Sequence, residues 1–134
     1  MMNFLLDANV VIALLNDRDS RPAHRVRRHK PRDIGVSSIV VHELCYGAFK
    51  SRRTAHNVAL IDALQFQVLD FDREDARQAG ELRAFLASTG MPIGPYDVLI
   101  AGQAKARDLI LVTSNTDEFR RVPGLRVQDW GRTS

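Results

Sequence analysis

The stretch that decides the fold is Phe4-Leu5-Leu6-Asp7-Ala8-Asn9-Val10, near the start of the sequence. An apolar run over residues 3–6 predicts a strand, and the spacing of apolar residues over 10–15 predicts a helix. Asp7 lies between them, at the carboxyl end of the predicted strand. The chain is therefore expected to open with a strand, an acid and a helix in that order.

The same alternation continues along the chain. Further strands are predicted at residues 34–37, 67–71, 109–113 and 125–128, and further helices at 39–50, 55–64, 73–88 and 95–107. Ser38 is expected to cap the helix 39–50. Alternating strands and helices favour right-handed crossovers. We therefore predict an α/β fold with a mainly parallel central sheet, flanked by helices on both faces.

The composition is that of an ordinary globular protein, with 45% hydrophobic and 26% charged residues in a chain of 134. This length suits one domain, so residues 1–134 are expected to form a single domain. The longest apolar runs fall far short of the ~20 residues that span a membrane, and we recognise no secretion signal. We therefore expect a cytoplasmic protein without a membrane role.

Acidic residues follow the predicted strands, at the edge where ligands gather in open α/β sheets. They are Asp7 after the first strand, Glu43 in the next helix, Asp97 just after Gly94-Pro95, and Asp117 and Glu118, with Asn115, after strand 109–113. Converging carboxylates repel one another unless a cation is bound. Oxygen ligands, without a Cys/His set at zinc spacing, favour Mg²⁺ or Mn²⁺.

Taken singly, most of these acids are better explained by a structural role. Asp97 could be a helix-dipole partner, Glu43 a solvated helix residue, and Asp117 or Glu118 a turn acid. Asp7 differs, because it joins two apolar runs and should lie at the edge of the core. A functional role is therefore favoured for Asp7 on its own position.

Positive charge is concentrated although the formal net charge is only +3. A basic window covers residues 21–32 and contains Arg25, Arg27 and Arg28, and a smaller cluster lies at residues 50–53. Such patches attract polyanions, because neutralising phosphates releases counterions. A solvated surface that only keeps the protein in solution explains the charge equally well.

Four motifs resemble those of PIN-domain nucleases. The first is Phe4-Leu5-Leu6-Asp7-Ala8-Asn9-Val10, and the second begins Ser37-Ser38-Ile39-Val40-Val41-His42-Glu43-Leu44. The third is Pro92-Ile93-Gly94-Pro95-Tyr96-Asp97, and the fourth is Leu111-Val112-Thr113-Ser114-Asn115-Thr116-Asp117-Glu118-Phe119. The ending Gly124-Leu125-Arg126-Val127-Gln128-Asp129-Trp130 is similar to that of VapC toxins, so the resemblance spans essentially the whole chain.

The resemblance implies roles for individual residues. Asp7 and Asp97 would be the principal metal ligands, and Glu43 and Glu118 would complete the catalytic acids. The polar residues expected to line the pocket are Asn9, Thr113, Asn115 and Asp117. One departure is Ala8, where the family usually has Thr or Ser; losing that hydroxyl could weaken metal affinity without removing a ligand.

The resemblance also implies a PIN-like α/β/α sandwich and a function. The chain would be the toxin of a toxin–antitoxin system, an endoribonuclease that uses Mg²⁺, or Mn²⁺ as the alternative. It would cut structured RNA such as transfer RNA and be neutralised by a VapB-type antitoxin. A homodimer or a hetero-oligomer with the antitoxin is expected, with residues 39–64 as the surface for either contact.

Two other functions are compatible with parts of this pattern. A phosphoaspartate protein also has an Asp after its first strand. Its phosphatase form needs a second acid where this chain has Asn9, and its receiver form needs a Lys where this chain has Thr113 and Ser114. A degenerate PIN module that binds without cutting is disfavoured by the retention of four acids.

Overall fold

The computed structural model describes residues 2–132, and its centre is a sheet of five parallel strands. The strands are β1 (Phe4–Leu6), β2 (Ile34–Ser37), β3 (Gln67–Leu69), β4 (Ile110–Val112) and β5 (Val127–Gln128). Their order across the sheet is β3-β2-β1-β4-β5, so β1 is central. The predicted parallel sheet is confirmed.

Helices connect and flank these strands. Those in the described residues are α1 (Ala8–Asn16), α2 (Arg21–Val26), α3 (Ser38–Lys50), α4 (Thr54–Asp62), α5 (Arg73–Ser88), α6 (Pro95–Ala106) and α7 (Thr116–Phe119). A 3₁₀ turn covers Pro31–Asp33. Five of these helices agree closely with the prediction, whereas α2 and α7 were not predicted. No helix within residues 2–132 combines the length and apolar character needed to cross a membrane.

The cap of α3 differs from the prediction by one residue. The hydroxyl of Ser37, not that of Ser38, accepts the backbone N–H of Ile39 at 3.1 Å. Ser38 is the first residue of the helix, and its hydroxyl accepts the N–H of Phe71 at 3.1 Å. That bond contributes to ending β3 at Leu69 rather than at the predicted residue 71.

The sheet is the core of the molecule. Leu5, Leu6, Leu111 and Val112 on the two central strands are fully buried. Strands of a parallel sheet are covered on both faces, and for this reason they appear in the sequence as continuous apolar runs rather than as alternating patterns.

Helices α5 and α6 are held together by close packing and a polar cluster. A Cβ added to Gly102 would lie 2.6 Å from the Cα of Ala79, so only glycine allows the two helices this approach. Asp75 is 1% exposed and accepts bonds from the Gln103 amide at 3.0 Å and from Arg107 Nη2 at 2.9 Å. These contacts hold α6, whose first turn carries Asp97.

The carboxyl ends of the central strands meet at one edge of the sheet. The N–H of Asp7, directly after β1, donates to the carbonyl of Val112 at 2.9 Å. The N–H of Thr113, directly after β4, donates to the carbonyl of Gln128 at 3.0 Å. Helix α3 also starts at this edge, where β2 ends. The acids that follow these strands are thereby brought together.

Candidate active site

Asp7 is fixed at the N-cap of α1. One carboxylate oxygen accepts the N–H of Ala8 at 2.8 Å, and the other accepts the Thr113 hydroxyl at 2.8 Å and the Asn9 amide at 3.3 Å. The residue is only 4% exposed. Burial raises the pKa of Asp7, and the charge of Glu118 adds to this, although the bonds from Thr113 and Ala8 oppose it.

The expected pocket-lining residues Asn9 and Thr113 join α1 to the end of β4. The Asn9 amide donates to the Thr113 hydroxyl at 3.3 Å, and its carbonyl oxygen accepts the N–H of Ser114 at 3.2 Å. The Thr113 hydroxyl also accepts the N–H of Asn115 at 3.0 Å. These bonds orient the Asp7 carboxylate and the segment that leads to Glu118.

Glu43 projects from the second turn of α3. Its Oε1 is buried and has no hydrogen-bond partner within the described part of the chain. Burial raises the pKa of Glu43, and so does the charge of Asp7. A buried carboxylate oxygen without a partner is costly, and a bound cation is one way of satisfying it.

Asp97 shares its surroundings with the other three acids. Its pKa is raised to about 7, first by burial, then by the charges of Asp7 and Glu118, by a hydrogen bond with Glu118, and by the charge of Glu43. Mutual repulsion of this kind indicates that the four groups lie near one another. We call Asp7, Glu43, Asp97 and Glu118 the acidic pocket.

Glu118 is anchored by hydrogen bonds. Its Oε1 accepts the N–H of Gly94 at 2.7 Å, and its Oε2 accepts the Asn115 amide. The bond from Gly94 lowers the pKa of Glu118, helped by the bonds from Asn115 and Asp97, while burial opposes the shift. The two pKa shifts are opposite, so Asp97 is the member of the pair that binds a proton more readily.

Other predicted residues lie outside the acidic pocket. Asp117 has a side chain that is 92% exposed and lies 3.8 Å from Arg120. The basic window lies near the start of β2, and a cavity of about 510 Å³ there is lined by Arg27 together with Ile34. That is the amino end of the sheet, opposite the acids. The Arg25 guanidinium lies 5.6 Å from the ring centre of Trp130.

The residues present fit a divalent cation in their chemistry. Four carboxylates lie near one another, and either a cation or a hydrogen-bond donor would satisfy the unpartnered Glu43 oxygen. Within residues 2–132, no three acidic, His or Cys side chains are arranged as a complete metal-binding set. Binding would therefore require the side chains of these mutually repelling groups to move closer together.

Sequence reasoning did not assign a site role to Gly94. Its contact with Glu118 joins residues 24 positions apart, so neither motif shows it alone. The available signal was the position of Gly94 three residues before Asp97.

The chain resembles known proteins over almost its whole length. The family model of the PIN domain matches residues 4–125. The chain belongs to the PIN-domain family. It is 41% identical over 132 residues to the tRNA(fMet)-specific endonuclease VapC of Shigella flexneri, a match that covers 97% of this chain and 99% of that relative. It is 36% identical over 132 residues to Ribonuclease VapC2 of Haemophilus influenzae, covering 97% and 99%.

Solved structures agree with this assignment. A chain in the crystal structure of DNA-bound VapBC from Salmonella typhimurium matches with a TM-score of 0.92 at 40% identity, covering 97% of this chain and 99% of that one. A chain of VapBC2 from Rickettsia felis, bound to a DNA fragment from the promoter, matches with a TM-score of 0.89 at 32% identity, covering 96% and 99%. This PIN-domain protein is thus an enzyme, a nuclease of the VapC ribonuclease type, and the phosphoaspartate alternative is excluded. PIN-domain nucleases generally use a divalent metal ion.

Proposed function

We propose that this protein is the toxin of a toxin–antitoxin system and hydrolyses phosphodiester bonds of structured RNA with Mg²⁺, or Mn²⁺ as the alternative. The observation that carries the proposal is the acidic pocket, with the buried and unpartnered Glu43 oxygen beside Asp7. A transfer RNA is the preferred substrate, because the Shigella relative is named as specific for tRNA(fMet). Residues 1–134 are proposed to act as one PIN domain in the cytoplasm.

The four acids divide the work according to their contacts. Asp7 and Asp97 would hold the metal, and the bonds from Thr113 and Ala8 keep the Asp7 carboxylate in one orientation. A bound Mg²⁺ or Mn²⁺ would lower the pKa of a water and offset charge on the phosphate. Glu43 is the acid best suited to accept a proton from the attacking water, because its Oε1 is not engaged, whereas both oxygens of Glu118 are.

The direct test is cleavage of purified transfer RNA by purified protein. Cleavage is expected with Mg²⁺ or Mn²⁺ and is expected to stop in excess EDTA. The Asp7→Asn variant, prepared identically, controls for contaminating ribonuclease. Undiminished cleavage in EDTA, or equal cleavage by the variant, would contradict the proposal. Sequencing the RNA ends left by the active protein would identify the substrate.

A VapB-type antitoxin is the proposed partner, supported by the VapBC complexes of Salmonella and Rickettsia. Helices α1, α3 and α4 border an apolar groove with a cavity of about 240 Å³. Its lining includes Ile12, Leu15, Leu44, Leu60 and Ile61, with Glu43. An apolar segment of the antitoxin fits this groove, and an Arg or Lys beside it would meet the acidic pocket through Glu43.

Docking of the antitoxin in this groove can be tested by replacing two equally exposed apolar side chains. Ile12 in the groove and Phe85 on α5 are both 47% exposed. Ile12→Glu should weaken co-purification with the antitoxin, whereas Phe85→Glu should not. The groove assignment fails if both variants retain the antitoxin equally. A homodimer stays a prediction, with Tyr46 and Phe49 on α3, 62% and 67% exposed, as its candidate contact.

A further inference from the structure

Gly94 precedes α6 in a backbone conformation that does not require glycine. Its φ of −55° and ψ of 150° are open to any residue and are those favoured before a proline such as Pro95. It occupies the N-cap, where Ser, Thr, Asp or Asn would supply a side-chain cap that glycine cannot. The reason for glycine must therefore be sought in the space around it.

That space is occupied by the acidic pocket. A Cβ added to Gly94 would lie 2.7 Å from Asp97 Oδ2, 3.4 Å from Asp97 Cγ and 3.6 Å from Glu118 Oε1. The first distance is shorter than carbon and oxygen atoms tolerate. An alanine would thus displace the Asp97 carboxylate, which is the free end of a side chain and can turn away without moving the backbone.

The same residue also holds the second carboxylate. The N–H of Gly94 donates to Glu118 Oε1 at 2.7 Å. Gly94 therefore touches two acids of the pocket in two ways: it leaves room for one and donates a hydrogen bond to the other.

We propose that Gly94 is a positioning residue, whose missing side chain lets the Asp97 carboxylate lie beside Glu118 where the divalent cation is bound. This inference rests on the proposed metal-dependent function. It predicts that a side chain at position 94 impairs metal binding while leaving the fold intact.

The test compares Gly94→Ala with Gly80→Ala, because a Cβ at Gly80 on α5 would meet nothing within 4 Å. Mn²⁺ affinity is measured by calorimetry on the protein alone, and melting temperature is measured in EDTA. Gly94→Ala should lower Mn²⁺ affinity by about tenfold or more. Its melting temperature should be unchanged or higher, since alanine reduces the freedom of the unfolded chain. Gly80→Ala should bind Mn²⁺ as the unaltered protein does.

Cleavage at increasing Mn²⁺ gives a second reading. Excess Mn²⁺ should restore much of the activity of Gly94→Ala, because the ligands remain present. Unaltered Mn²⁺ affinity in Gly94→Ala would overturn the inference while leaving the proposed function standing. A melting temperature that falls together with the affinity would also overturn it, because the role would then be structural. Failure of the unaltered protein to bind Mn²⁺ would instead refute the proposed function.

Discussion

Three carboxylates of the acidic pocket have pKa values shifted in the opposite direction to that of Asp75, the buried acid between α5 and α6. In the acidic pocket, burial and neighbouring acids raise the pKa values of Asp7, Glu43 and Asp97. Between α5 and α6, burial alone would raise the pKa of Asp75. The bonds from Arg107, Asp72 and Gln103 outweigh burial and lower it. The direction of each pKa shift is therefore set by the hydrogen-bond and charge partners of the carboxylate, since burial raises the pKa in both places.

This contrast distinguishes a structural acid from a functional one. Asp75 has a guanidinium at 2.9 Å and a reciprocal capping bond with Asp72, so its charge is compensated within the fold. In the acidic pocket, the charge of Arg121 lowers the pKa of Glu118 and that of His42 lowers the pKa of Glu43, but the pKa values of Asp7, Glu43 and Asp97 remain raised. Uncompensated acids that persist in a pocket indicate a site whose cation comes from outside.

Replacing Asp97 should have the largest effect on activity. Asp97→Asn keeps the shape of the side chain but removes a proposed ligand, so RNA cleavage in Mg²⁺ should fall roughly a hundredfold or more, about 2.7 kcal/mol of barrier. Its stability in EDTA should stay level or rise, because the repulsion among the acids is reduced. Asp62→Asn, on α4, is the control for cleavage. An Asp97→Asn variant that loses stability yet still cuts RNA would refute the ligand role.

Replacing Arg107 should leave the charge of Asp75 without a neighbouring cation. Arg107→Met leaves a 1% exposed carboxylate without its cation, and the folded state should lose roughly 2–4 kcal/mol at neutral pH. The control is Arg126→Met, because the pair of Arg126 and Asp108 is exposed and should contribute under about 1 kcal/mol. Urea unfolding measures both. Equal losses in the two variants would show that the buried pair has no special role.

Lowering the pH should change the contribution of Asp75 to the stability of the folded state. Because the folded pKa of Asp75 is below its unfolded value near 3.8, its contribution to stability is complete at higher pH and is lost as pH falls through the folded pKa. Asp75→Asn should therefore be less stable than the unaltered protein near pH 6, and the gap should narrow below about pH 4. Comparing the two proteins cancels the titration of groups that do not interact with Asp75. A stability difference that does not depend on pH would contradict the lowered pKa of Asp75 in the folded state.

The fold was predictable because its determinants are local. Continuous apolar runs mark the buried parallel strands, and α5 spans Arg73–Ser88 as predicted. Helix α2 was missed because it is only six residues long and Ala23 is its only buried residue. Its position depends on contacts from outside the segment, such as that of Arg25 with Trp130. No local pattern contains this information.

The candidate site was predictable only in part, because some of its properties also depend on contacts between distant segments. Topology alone implies that acids following parallel strands gather at one edge, so the membership of the acidic pocket could be anticipated. The raised pKa of Asp97 depends on distances to three other acids, and the contact of Gly94 with Glu118 depends on a loop conformation. Both are properties of the folded chain that residue types do not specify.

The smallest expected effect concerns the basic window, the electrostatic opposite of the acidic pocket at the other end of the sheet. If the window binds RNA phosphates, replacing Arg25, Arg27 and Arg28 with Gln should flatten the dependence of RNA affinity on salt. Each lost phosphate contact should reduce the slope by about one. The structure favours Arg28→Gln as the first variant, because Arg25 lies over Trp130 and Arg27 donates to the carbonyl of Arg18. Arg28 is exposed, so its replacement should leave stability unchanged.

The control for this measurement is Arg120→Gln, on the exposed pair with Asp117. Binding is measured in EDTA, so that cleavage does not remove the RNA during the titration. A lower affinity with a smaller salt slope for Arg28→Gln, but not for Arg120→Gln, would extend the RNA path from the acidic edge to the opposite end of the sheet. Such a path requires a folded RNA large enough to contact both ends. An unchanged slope, even in the triple variant, would mean that the window is a solvated surface and that the acidic edge binds the RNA without it.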